Sequence, residues 1–200
     1  MQKLLTIFLI FIMSTVGIAQ KKKGTTIAND LSEQEVKDFH KQCQIKVQEF
    51  QEYLPVIADK TRSDFDRQEA VKAAERLFNA GSTIQVTSKY RKEPVTYTIG
   101  EYLTILRDTK KYSQIKIKFY EGAKVSEFTQ DPNGGYRGTA TVFQEFVGYD
   151  KNGKPLYQDR TKKNINTQLN PEFDEFYQEK RWKVLLGNVT ADDPMEVPKQ

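Results

Sequence analysis

Few side chains here have the type and spacing for acid–base chemistry. Asp159 is the foremost, set between Tyr157 and Thr161 on what reads as one face of a strand. A carboxyl buried beside a phenol keeps its proton to higher pH than usual and can then serve as a general base. A salt bridge is the plainer role for the same residue. His40, the single histidine, follows Phe39 at a helix edge, and without a second histidine it has no obvious relay partner. Asp59, Asp64 and Asp66 gather where two helices are joined, and capping accounts for them. Asp150-Lys151-Asn152-Gly153 has the start of a calcium loop but neither its further ligands nor its closing glutamate. It reads as a hairpin turn. One histidine and one cysteine cannot assemble a usual zinc set, so neither metal nor cofactor is expected. Phosphate-cradling loops and nucleophile elbows are absent from the sequence.

Aromatic residues are in surplus: 12 Phe, 10 Tyr and 1 Trp. Tyr53, Tyr102, Phe119, Tyr136, Tyr157 and Trp182 are predicted to converge on one ligand pocket, since such rings combine apolar area with a polar tip. Filling the core is the competing role for all six. Gln158, Arg160 and Lys162 alternate with the inward residues of their strand and form the expected docking surface for a partner. With 31 basic and 27 acidic residues interleaved, the net charge of +4 is not clustered, which argues against nucleic-acid binding.

The N-terminus carries an address. Lys3 precedes an apolar run over 4–13, and Gly17 and Ala19 put small residues where a signal peptidase reads them. The sequence therefore predicts a signal peptide over 1–19, cleavage after Ala19, and an exported chain, periplasmic or secreted. The run is too short to span a bilayer comfortably. Cys43, the only cysteine, excludes an internal disulfide and falls on the apolar stripe of a helix, where burial is expected.

Behind the chemistry stand the elements that must position it. Residues 20–30 are polar and read as a flexible stretch, 31–190 as one domain and 191–200 as a tail. Ser32 and Glu35 make a capping box ahead of a helix with Val36, Phe39, Cys43, Val47, Phe50, Leu54 and Ile57 on one face. Pro55 should end or kink it. A second helix is predicted over 64–79, short strands over 82–87 and 94–98, and a short helix from Thr98. Strands are then expected at 113–120, 123–129, 136–149, 156–169 and 180–189. A bulge is expected at Gln144-Glu145, and a loop over 170–179. Gly138 and Ala140 should allow close approach on one face.

This order resembles the NTF2-like, or cystatin-like cone, superfamily. The residues that carry the resemblance are Tyr53-Leu54-Pro55-Val56-Ile57-Ala58-Asp59, Ala70 to Phe78, Ile99 to Leu103, Tyr136 to Ala140, Phe146 to Asp150 and Arg181 to Val184. It implies an α+β cone, with N-terminal helices packed on a strongly curved antiparallel sheet, and a homodimer as the family's habit. The superfamily hosts isomerases, dehydratases, transport factors and secretion-machine scaffolds, so fold alone does not select an activity. Since the hollow offers no obvious acid–base pair, the sequence favours an exported non-catalytic binding module, with a small ligand in the cone or an envelope protein on the sheet face. The alternatives are a cone-type isomerase or dehydratase using Asp159, and a membrane-anchored envelope scaffold.

Overall fold

The computed structural model describes residues 31–192 and 194. The expected signal peptide 1–19, the polar stretch 20–30 and most of the tail lie outside these residues. The elements run α1 (Glu33–Ala58), α2 (Asp64–Glu75), β1 (Thr83–Val86), β2 (Val95–Thr98), α3 (Ile99–Asp108) and β3 (Gln114–Val125). They continue as β4 (Thr129–Gln130), β5 (Tyr136–Tyr149), β6 (Pro155–Asp174) and β7 (Glu179–Ala191).

Local chemistry sets each helix start. Ser32 with Glu35 and Thr98 with Glu101 both form reciprocal capping boxes, and the Ser63 hydroxyl accepts from the Asp66 N–H. The α1 stripe from Phe39 to Ile57 is buried as its spacing requires. Cys43 lies within it, and burial pushes its thiol up to about 11, so it packs as a small apolar group. Pro55 does not end the helix. It falls near the C-terminus, the helix passes through it, and Asp59 closes the last turn with its N–H on Pro55 O at 3.0 Å.

The second helix stops at Glu75, short of the expected Asn79. The chain is drawn instead onto β7: Leu186 N–H donates to Leu77 O and Asn79 N–H donates to Leu186 O, each at 2.8 Å. That contact leads β1 alongside β7 in parallel. The curved sheet, in the order β2-β1-β7-β6-β5-β3 with β4 on β5, is thus mixed at one junction and antiparallel elsewhere.

The two strands expected at 113–129 are one strand, β3, irregular between Tyr120 and Lys124, followed by the two-residue β4. Glu121 takes φ 63° there, beside Gly122. Across Gln144-Glu145 the pairing with β6 is regular, so no bulge occurs at that point. The expected loop 170–179 is mostly strand, because β6 and β7 keep pairing out to Asp174 and Glu179. Gly138 does sit under a close neighbour: a Cβ there would lie 2.9 Å from the Phe128 ring.

Two apolar clusters lie between the helices and the sheet. The larger joins Val47, Phe50, Leu54 and Ile57 of α1 to α2, α3 and sheet residues such as Ile115, Val142, Ile165 and Leu186. The smaller joins Leu31, Phe39 and Cys43 to Phe128, Tyr136, Leu169 and Val184, with Trp182 packed on it. Each fully buried aliphatic side chain contributes about 1.5–3 kcal/mol, so both clusters matter to the fold. The architecture is an α+β fold with helices on one face of a long curved sheet, as the resemblance implied.

Candidate functional site

Alternation along β6 places Tyr157, Asp159, Thr161 and Lys163 on its helix-facing side, and all four are buried. Gln144 and Phe146 of β5 pair with Thr161 and Asp159 and extend the same floor. Over it stands α3 with Tyr102, Ile105 and Leu106, while Ser88, Tyr90 and Arg91 of the β1–β2 loop form a lip. Between floor, helix and lip lies a cleft of about 540 Å³. That volume is within the range of small-molecule sites.

Two cations on other elements fix the cleft wall. Arg67 of α2 is buried, and its guanidinium donates to Ile57 O at 2.9 Å and to Arg107 O. These carbonyls belong to the last turns of α1 and α3, which have no intrahelical donor. Lys60 Nζ donates to Thr109 O at 2.7 Å and to Tyr112 O at 2.5 Å, holding the segment between α3 and β3. Tyr112 and Thr109 line the cleft.

Its polar floor is a contiguous set. Tyr157 Oη donates to Asp159 Oδ2 at 2.5 Å. Burial raises the Asp159 carboxyl above its usual range, although the Tyr157 hydroxyl and the Lys163 and Lys89 charges oppose the rise. Burial likewise lowers the Lys163 ammonium to about 8, against the pull of Asp159. Tyr157 and Tyr102 are both pushed up to about 12, again chiefly by burial. Around this set the rings of Tyr90 and Phe146 approach Tyr157 at 5.8 and 6.0 Å, and Lys89 Nζ lies 5.4 Å from the Tyr157 centroid. The cleft can therefore hold an apolar body between rings and present a proton donor, a proton acceptor and an amine to its polar end.

The sequence expected a hollow without an acid–base pair; the structure puts a buried carboxyl in contact with a phenol there. Of the six aromatic pocket residues, Tyr102 and Tyr157 line the cleft. Tyr53 and Phe119 pack on the larger cluster instead. Tyr136 and Trp182 belong to the smaller cluster, with ring centroids 5.2 Å apart. They depart from expectation because Tyr136 begins β5 and pairs with Leu169, whereas the cleft lies toward the other end of that strand. Gln158, Arg160 and Lys162 do face outward, but each is engaged: Gln158 on Glu145 at 2.6 Å, Arg160 over the Tyr120 ring at 4.2 Å, and Lys162 on Asp192 at 3.1 Å. His40 sits 4.7 Å from the Phe128 ring, away from the cleft lining. Asp59 caps Thr61, and Asp64 and Asp66 are exposed at the start of α2.

Lys163 escaped the sequence reading, as did Gln144, Tyr90 and Tyr112. For Lys163 the signal was present, since it shares strand parity with Tyr157, Thr161 and Ile165. Among the described residues, no group of three His, Cys, Asp or Glu could hold a metal ion, and no helix is long and apolar enough to cross a membrane.

No protein-family model matches the chain, and no curated protein matches it in sequence. Solved structures similar to it include ActVI-ORFA from Streptomyces coelicolor, at 12% identity and a TM-score of 0.37, covering 74% of this chain and 94% of that one. A protein from Catenulispora acidiphila is similar at 10% identity and a TM-score of 0.39, covering 76% and 91%. The Mtr2–Mex67 M domain complex of C. albicans is similar at 11% identity and a TM-score of 0.41, covering 82% and 99%.

Proposed function

We propose that this protein is a binding module that holds a small amphipathic molecule in the cleft beneath α3. One observation carries the reading: an aromatic-lined cleft of about 540 Å³ whose floor is the hydrogen-bonded pair Tyr157 and Asp159 beside Lys163. Rings supply non-directional affinity, and a few fixed polar groups orient the ligand. Naphthylmethanol, an apolar body with one hydroxyl, tests it by calorimetric titration. Binding is expected to the wild-type chain and to be lost in Ile105→Trp, which fills the cleft from a half-exposed position while leaving the far-UV spectrum unchanged. Equal binding to both chains would remove the cleft as the site.

A second reading is acid–base turnover, favoured by the 2.5 Å contact of the Asp159 carboxyl with a phenol. A carboxyl in this position abstracts a proton next to a ketone while a phenol steadies the oxyanion. Proton–deuterium exchange of a cyclic ketone measured by NMR tests it. Asp159→Asn should lower the exchange rate by roughly 10²-fold or more, and an unchanged rate ends the reading.

Export belongs to the same proposal, supported by Lys3, the apolar run 4–13 and the small residues Gly17 and Ala19. A native chain beginning at Gln20 by mass spectrometry is the expected result, and a retained N-terminus would refute it. The outward face around Arg160 and Lys162 is the proposed docking face for a protein partner, a second copy included. Sedimentation of the double variant Arg160→Glu, Lys162→Glu should show assembly lost, and no change would exclude that face.

A further inference from the structure

Lys163 is the least accounted-for group in the cleft. Its side chain is buried, at 8% exposure, and it lines the cavity. An ammonium has three donors to place. The contact Lys163 makes is a long one, Nζ to Gln85 O at 3.4 Å. Among the described residues no carboxylate lies within ion-pair distance of it, although Asp159 shares its strand face. Leaving a cation so poorly paired away from water is costly, whereas a neutral amine in the same place is not. Desolvation of this kind is what makes a lysine a nucleophile near neutral pH.

The neighbouring inward positions fit the second half of such chemistry. Asp159 and Lys163 are separated by Thr161, and roughly 13 Å divides their Cα atoms at ordinary strand rise. That is more than the two side chains span together, so a small polar group fits between them. Asp159 is 7% exposed, and its burial, which outweighs the pull of the Tyr157 hydroxyl toward the carboxylate, keeps an acid form available at the opposite end of the gap.

We infer that Lys163 captures an aldehyde or ketone with an apolar body as a covalent imine in the cleft. The inference rests on the reading of the cleft as a small-molecule site. In the first step the amine nitrogen attacks the carbonyl carbon, a C–N bond forms and the π pair moves to oxygen. A proton passes from nitrogen to that oxygen and gives a carbinolamine. The Asp159 acid supplies a second proton to the hydroxyl, which leaves as water with the C–O bonding pair while the nitrogen lone pair forms C=N. The product is a protonated imine facing the Asp159 carboxylate, with water released and no change of oxidation state.

The test incubates the full chain with naphthaldehyde and cyanoborohydride, which reduces an imine to a stable secondary amine, and locates the adduct by site-resolved mass spectrometry. Labelling of Lys163 is expected to outpace that of exposed Lys92 by at least about tenfold, to be suppressed by excess naphthylmethanol and to vanish at this site in Lys163→Met. If naphthylmethanol binds the cleft but Lys163 is labelled no faster than Lys92, the imine is overturned and the binding reading stands. If naphthylmethanol fails to bind and Lys163 is not labelled, both fall.

Discussion

A buried lysine leaves a signature in stability that is independent of any ligand. The Lys163 ammonium has its ordinary value of 10.5 in the unfolded chain and about 8 in the folded one. Between these the unfolded state holds a proton that the folded state has released, so stability rises with pH across that window. Below about 8 the full burial penalty applies, and it amounts to roughly 3 kcal/mol at most. Lys163→Met keeps the volume and removes the charge. Its urea midpoint should be higher than that of the wild type at neutral pH, and the two should converge as pH approaches 10.5. Parallel curves over that range would show that Lys163 is not desolvated. Asp159 acts in the opposite sense. Its folded carboxyl titrates above the ordinary 3.8, so its contribution falls as pH rises through that value toward the folded one. Both groups weaken the fold at neutral pH, and a function for the cleft explains why the chain carries them.

At the scale of elements, the cleft depends on residues that never touch it. Arg67 bonds the carbonyl ends of α1 and α3 from α2, and without it one buried and one half-buried acceptor lose their donor. Arg67→Leu is expected to cost about 2–4 kcal/mol in urea unfolding and to weaken naphthylmethanol binding, because the end of α3 is then free to shift. A loss under about 0.5 kcal/mol, the ordinary range of surface substitutions, would show that the bond is incidental. These same elements mark how far the sequence could be read. Ser32 and Thr98 announced their helices because a cap is a local bond between near neighbours. The turn at 150–153 was equally local: Asp150 accepts the N–H of Asn152 at 2.8 Å, and Gly153 takes positive φ. What could not be read was set by distant partners. The shortened α2 and the parallel β1 both follow from Leu186, more than a hundred positions downstream of Leu77. The lip at 87–91 shows no apolar period of its own, since it is held over Tyr157 by ring and cation contacts. Four of the six aromatic residues lie off the cleft lining, and for Tyr136 and Trp182 the reason is similar: composition tells that rings are buried, and only register tells at which end of the sheet each one lies.

Over the described residues, the molecule has one sheet but two interiors. α1 covers both, its first half over the smaller cluster and its second half over the larger. β5 and β6 likewise run from Tyr136 and Leu169 in the smaller cluster to Gln144, Phe146, Tyr157 and Asp159 at the cleft. Continuous elements should couple the two clusters into one unfolding unit, since neither end of a paired strand can melt without exposing the ladder of the other. Binding need not be coupled in the same way, because the smaller cluster shares no side chain with the cleft lining. Trp182 is the sole tryptophan and packs on the smaller cluster, so its fluorescence reports there. Leu169→Ala deletes a side chain with 0% exposure and is expected to cost about 2–5 kcal/mol. In that variant, urea curves followed by Trp182 emission and by far-UV circular dichroism should still coincide, at a lower midpoint. Its affinity for naphthylmethanol below the transition should equal that of the wild type, within the error of sites that share no partners. Separated transitions would mean that the fold is two units joined by strands. A lowered affinity with coincident transitions would mean that the far cluster shapes the cleft through β6.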